Sequence, residues 1–167
     1  MTLNDLNRIS RDAAIGAFEK CCGAKAWAAR MADARPFNDR RAMHEAADRI
    51  WNALSEKDQR EAFDHHPRIG GVEELRKKFA LTGAWAGEEQ SGVASATDVV
   101  LRALAEGNAR YEARYGHIFL VCATGKSAPE MLSILESRMV NDPLAEFKIA
   151  TAEQAKITRI RLEKLVS

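Results

Sequence analysis

Along most of the chain, apolar residues recur at intervals of three and four, the period of one helix face rather than the alternation of a strand. In Phe18, Cys21 and Cys22, and again in Met43, Ala46, Ala47, Ile50, Trp51 and Leu54, they fall on one stripe, which predicts two core helices. Ser55-Glu-Lys-Asp58 has the form of a capping box and predicts a helix through Phe63. Pro67 should close it, because the residue before a proline is pushed out of the helical region. Gly70-Gly71 reads as a turn, and Glu73 to Phe79 as a short charged helix. From Glu88 to about Arg114, Val93, Ala96, Val100, Leu104 and Tyr111 are spaced for one face, and this should be the second-longest helix.

His117-Ile-Phe-Leu-Val-Cys122 breaks the pattern, being a short apolar, β-branched run between Gly116 and Gly125. It reads as an extended buried segment, although periodicity alone does not separate that from a turn of buried helix. Ser127-Ala-Pro-Glu130 combines an N-cap, an early proline and an acidic third position, and Asp142-Pro143 starts the last helix in the same way. Leu144, Phe147, Ala150, Ile157, Ile160 and Leu165 are read as its apolar face. There is no repeat, low-complexity tract or linker. The expected fold is all-α: one domain over 1–167, a helical bundle with one short extended buried segment.

A chain of 167 residues is long enough to bury about 70% of its unfolded surface in one core. With 46% hydrophobic and 29% charged residues it is neither disordered nor collagen-like. The net charge of +1 lacks the basic surplus of a nucleic-acid binder, so no nucleic-acid partner is expected. No apolar run approaches the roughly 20 residues of a membrane span, and the opening MTLNDLNRIS carries charge where a signal peptide would be apolar. No membrane partner is expected, and a cytoplasmic location is. The ending Leu165-Val-Ser, which is not a peroxisomal Ser-Lys-Leu, favours the same compartment. Cys21, Cys22 and Cys122 form neither a disulfide framework nor a zinc motif and read as small buried hydrophobes.

Candidate chemistry concentrates in Asp64-His65-His66-Pro67-Arg68-Ile69-Gly70, which holds two of the four histidines at a helix terminus. The partial negative charge of a helix C-terminus favours imidazolium, and Pro67 fixes the local backbone. His66 therefore suits general acid/base work, against the alternative of a surface histidine pair at a frayed end. Ala123-Thr-Gly-Lys-Ser127 lies where a phosphate-binding loop would, but Leu120 stands at the position of that motif's first glycine. Asp64-His65-His66 also spells a short signature of metal-dependent phosphoesterases, whose further aspartates sit on strand ends that this chain does not offer. A helical interaction module without catalysis is the remaining class.

Four segments in one order carry a more specific signal: His66-Pro-Arg-Ile-Gly70, Glu89-Gln90, Tyr115-Gly-His-Ile-Phe-Leu-Val-Cys-Ala-Thr-Gly-Lys-Ser127, and Lys156-Ile-Thr-Arg-Ile-Arg161-Leu. Together, from about Leu3 to Leu165, they resemble the 2-oxo-4-hydroxy-4-carboxy-5-ureidoimidazoline (OHCU) decarboxylases of urate degradation. The resemblance implies an all-helical enzyme that needs no cofactor or metal and converts OHCU to (S)-allantoin, and it implies a homodimer. Its catalytic positions fall on His66, Glu89 and Arg161, and its substrate contacts on Pro67, Glu89, Gln90, Arg161 and the segment Ile118, Phe119 and Leu120. Two departures bear on the site: Ala86 stands where members have serine, and His117 where they have an apolar residue.

Overall fold

Local capping chemistry sets most of the helix starts. The computed structural model describes residues 1–68, 70–81 and 91–167, with side chains at all of these except 80, 81 and 91–96. Among the described residues there are nine helices and no strand. They are α1 (Leu3–Arg8), α2 (Arg11–Glu19), α3 (Lys25–Asp33), α4 (Arg40–Asn52), α5 (Glu56–Asp64), α6 (Val72–Leu81), α7 (Ser91–Tyr115), α8 (Ala128–Arg138) and α9 (Pro143–Leu165). At α8 the Ser127 hydroxyl accepts from the Glu130 amide while the Glu130 carboxylate accepts from the Ser127 amide, a complete capping box. At α9 the Asp142 carboxylate accepts from the amides of Leu144 and Ala145, and at α5 Ser55 caps Asp58. These are the starts the sequence predicts, and they satisfy donors that a first helical turn leaves open.

The chain divides into two compact units. The first comprises Met1–His66 and Ala150–Ser167. Its core holds Leu6, Phe18, Trp27, Met31, Met43, Phe63 and Leu162, all fully buried. Phe18 and Trp27 meet edge-on at 5.9 Å, and the indole N–H groups of Trp27 and Trp51 donate to the carbonyls of Ala47 and Thr151, so neither is buried without a partner.

The second unit comprises Pro67–Ile149. Leu101, Leu104, Tyr111 and Tyr115 on α7 pack with Met131 and Leu135 on α8 and with Leu75 and Phe79 on α6. Gly107 lets α7 and α8 approach, because a Cβ there would lie 2.4 Å from a Leu135 methyl. His117–Cys122 lies outside any helix, with His117, Phe119 and Leu120 buried. Its anchor is Arg138, whose guanidinium donates to the Leu120 carbonyl, stands over the Phe119 ring at 4.8 Å and pairs with the fully buried Glu146. The Tyr111 hydroxyl also donates to Glu146, and Asn141 donates to its second oxygen at 3.0 Å. Burial and that carboxylate raise the Tyr111 phenol far above its usual range, which keeps it a donor.

Three expectations need correction. Helix α2 stops at Glu19, so Cys21 and Cys22 are buried in the turn beyond it rather than on its stripe. Helix α7, at 25 residues, is longer than α9, at 23. The third concerns the buried face of α9, which is Glu146, Ala150, Gln154, Thr158 and Leu162, while Leu144 is 67% exposed. Three of those five are polar, and an apolar pattern cannot register them.

Removing one member of a buried ion pair strands the other. Glu146→Leu should cost about 3–5 kcal/mol in urea unfolding followed by circular dichroism, and adding Arg138→Met should recover much of that loss. A single variant as stable as the parent would show that Arg138 finds its compensation elsewhere.

Candidate functional site

His66 follows the α5 C-cap His65, and its backbone N–H donates to the Phe63 carbonyl at 3.1 Å as the last turn closes. The ring is half-buried, and Nε2 lies 2.6 Å from Gln154 Oε1 on α9. Gln154, fully buried, donates through Nε2 to Thr158 Oγ1 at 3.1 Å, and Thr158 in turn shares a hydrogen bond with the Cys22 thiol. Arg161 lies on the same face of α9, roughly 20° from the direction of Gln154 after seven residues. Its Nη1 donates to the Cys21 carbonyl at 3.4 Å. Gly23 belongs to this turn, and a Cβ there would lie 2.3 Å from the His65 Cβ and Cγ. Only glycine admits so close an approach of the α5 terminus.

The electrostatics reverse one expectation. Burial, the Arg161 charge and the neighbouring His65 push the His66 imidazole below its ordinary value, although the Gln154 bond opposes them. The helix terminus was expected to favour imidazolium, but the shift is toward the neutral ring, with desolvation its largest cause. Burial likewise pushes the Cys21 and Cys22 thiols up to about 11, so both stay neutral as expected of small buried hydrophobes. Among the described residues the three cysteines form no disulfide.

The other candidates fall elsewhere. Pro67, Ile118, Phe119 and Leu120 belong to the second unit, where Pro67 is exposed, Ile118 half-buried, and Phe119 and Leu120 buried. Glu89, Gln90 and Ala86 lie outside the described residues, as does the Glu88 start of the long helix. His117 is 4% exposed, stacked on Tyr115 and edge-on to Tyr111 and Phe147, so it is part of an aromatic cluster. Lys126 donates to the Cys122 carbonyl at 2.8 Å and Ser127 caps α8, which gives the phosphate-loop look-alike a structural use. No group of three or more His, Cys, Asp or Glu is placed to hold a metal ion among the described residues. Sequence reasoning missed Gln154 and Thr158, whose one signal was i+4 spacing between Ala150 and Leu162.

A neutral imidazole with a fixed partner, on the unit that also presents a guanidinium, is equipped to move a proton beside an anion. The OHCU decarboxylase family model matches residues 7–163. The chain belongs to this family. It is 36% identical over 149 residues to the uric acid degradation bifunctional protein TTL of Arabidopsis thaliana, covering 88% of this chain and 45% of that protein. The chain thus spans less than half the length of that relative. It is 26% identical to the 2-oxo-4-hydroxy-4-carboxy-5-ureidoimidazoline decarboxylase of Amia calva, covering 99% of this chain and 95% of that one. A crystal structure of OHCU decarboxylase in the presence of (S)-allantoin superposes with a TM-score of 0.71 at 32% identity, covering 89% of this chain and 96% of the other. The family's all-helical fold is the one described above.

A depressed folded-state value means that protonating His66 favours unfolding. This residue's effect on stability is therefore absent above the unfolded value near 6.5 and unfavourable as pH falls through it. The His66 ring protons should titrate with a midpoint below 6.5 by NMR, and Arg161→Gln should move it upward. A midpoint above 6.5 would mean that the helix terminus outweighs burial.

Proposed function

We propose that the chain is a cofactor-independent carboxy-lyase that converts OHCU to (S)-allantoin in urate degradation. The observation that carries this reading is His66, held by Gln154 as a neutral imidazole in the unit that contains Arg161, within a chain matched to the OHCU decarboxylase family over residues 7–163. The substrate supplies its own electron sink. Its carboxylate and hydroxyl share one ring carbon beside a C=N bond, so when the carbon–carboxylate bond breaks and carbon dioxide leaves, the electron pair moves into that imine. The imine nitrogen takes up one proton as the carbon–carbon double bond of the enol forms. The hydroxyl proton is then lost as a carbonyl forms, and the adjacent ring carbon takes a proton on one face, so that one proton is consumed overall.

His66 serves the proton transfers, a role typically worth ~10²–10⁴-fold. Arg161 grips the carboxylate or a ring oxygen through its planar fork. Glu89 accepts from the ureido N–H groups and fixes the ring plane. Pro67, Gln90 and the Ile118, Phe119 and Leu120 segment belong to the same reading as substrate contacts. The location it carries is cytoplasmic and the assembly a homodimer, with no nucleic-acid or membrane partner. Among the described residues no helix is long and apolar enough to cross a membrane.

The test is an assay on OHCU generated in situ from urate, with the chirality of the allantoin followed, before and after dialysis against a chelator. Activity should survive chelation; loss restored by one divalent ion would revive a metal enzyme. His66→Asn should lower turnover by roughly 10²-fold or more with helical circular dichroism unchanged, whereas the same change at His65 should cost much less. Arg161→Lys should impair nearly as much as Arg161→Ala, because lysine keeps the charge but not the fork. Glu89→Gln should lower both affinity and turnover, and Glu88→Gln should do little; a larger loss at Glu88 would move the role to it.

A further inference from the structure

Gln154 is an unexpected occupant of its position. It is 0% exposed on the α9 stripe between Ala150 and Leu162, where a leucine would bury area at no polar cost. A buried amide is tolerated only if its groups are bonded, since each unsatisfied one costs roughly 1–3 kcal/mol. Both ends of this amide are engaged, and in a definite sense. The Thr158 hydroxyl gives its hydrogen to the Cys22 sulfur and accepts from the Nε2 end at 3.1 Å, which leaves the oxygen end for His66 Nε2 at 2.6 Å. A carbonyl oxygen cannot donate, so a bond this short requires the hydrogen on His66 Nε2. In a neutral ring the lone pair then lies on Nδ1.

We propose that Gln154 is a positioning residue that holds His66 as its neutral Nε2–H tautomer and so presents Nδ1 as the nitrogen that takes and returns the substrate's proton. The inference rests on the reading of His66 as the acid/base. Thr158 completes the device by anchoring the far end of the amide as an acceptor, its own hydroxyl hydrogen being given to the Cys22 sulfur. A ring fixed in the wrong tautomer keeps its place and loses its chemistry, as the Asn variant of the serine-protease triad aspartate demonstrates.

An amide differs from the more usual carboxylate partner because it orients the ring while favouring its charged form less than a full negative charge would. Among the described residues, the charged and titratable groups acting on His66 are Arg161 on α9 and His65 at the end of α5; Arg161 also acts on the Cys21 and Cys22 thiols in the turn after α2, and Glu61 of α5 on Cys22. Arg161 and His65 both disfavour imidazolium, and the thiols are neutral. A glutamate at position 154 would add an anion in direct contact with the ring and shift this balance toward imidazolium.

The deciding measurement is a long-range ¹H–¹⁵N NMR correlation of the His66 ring in the intact ¹⁵N-labelled protein at a pH of about 8, above the ordinary imidazole value. The pattern of a protonated Nε2 and a bare Nδ1 is expected; the opposite pattern overturns the proposal without any variant. Gln154→Met, close in size but unable to accept so strongly, should lose the single tautomer and lower kcat by about 10-fold or more with KM little changed. Gln154→Glu should keep the tautomer at high pH but move the His66 midpoint and the acid limb of kcat/KM upward together by about one unit or more. If Gln154→Met folds and leaves tautomer, kcat and pH profile unaltered, Gln154 only fills space and the inference fails. Failure of the functional reading is separate: it is an unmodified protein with the expected tautomer that does not decarboxylate OHCU.

Discussion

Helix α9 has to satisfy polar groups along its own buried stripe, and much of the molecule is arranged around that requirement. Glu146, Gln154 and Thr158 share the stripe with Ala150 and Leu162, and none of the three is more than 6% exposed. A carboxylate buried without compensation would cost several kcal/mol and an amide roughly 1–3. Each therefore gathers partners. Glu146 draws in Arg138, Tyr111 and Asn141, and through Arg138 it fixes the Leu120 carbonyl and the Phe119 ring of a segment with no ladder of its own. Gln154 draws in His66 at the end of α5. One helix thus organises a polar centre in each unit, with four-residue spacing as its only sequence signature.

The elements that were legible in the sequence owe this to local physics. Caps at Ser55, Ser127 and Asp142 depend on bonds within three residues, so the type and order of residues are enough to place them. The α9 face was misjudged for the opposite reason. Apolar periodicity assigns polar residues to solvent, and on that basis Leu144 was read as core although it is 67% exposed. Gln154 is buried because His66, 88 residues earlier, is there to receive it. No window of sequence contains that reason.

The candidate site divides along the same line. His66 and Arg161 were legible as residue types within motifs, while Glu89 and Gln90 rest on the motif alone, being outside the described residues. The charge state of His66 was not legible. The dipole of α5 is a local feature and argues for imidazolium, but burial of the ring is a tertiary effect and the shift it leads is toward the neutral form. His117, which stands where the resemblance leads one to expect an apolar residue, makes aromatic contacts whose partners, Tyr111, Tyr115 and Phe147, come from two helices, and no local window of sequence contains all of them.

Why an amide should stand beside His66 follows from what Arg161 has to do under the proposed reaction. Among the described residues Arg161 has no ion pair; its bond is to the neutral Cys21 carbonyl at 3.4 Å. A guanidinium so placed keeps its attraction for an anionic substrate. A carboxylate at position 154 would compromise this twice, because it would compete with the substrate for the guanidinium and, by stabilising imidazolium, remove the lone pair that accepts the first proton. A hydrocarbon there would leave both charges undisturbed but would not choose between the two ring nitrogens. An amide meets both conditions, since it accepts from one nitrogen without carrying charge. Its own NH₂ group then needs an acceptor in a buried place, and Thr158, one helical turn further along α9, supplies it.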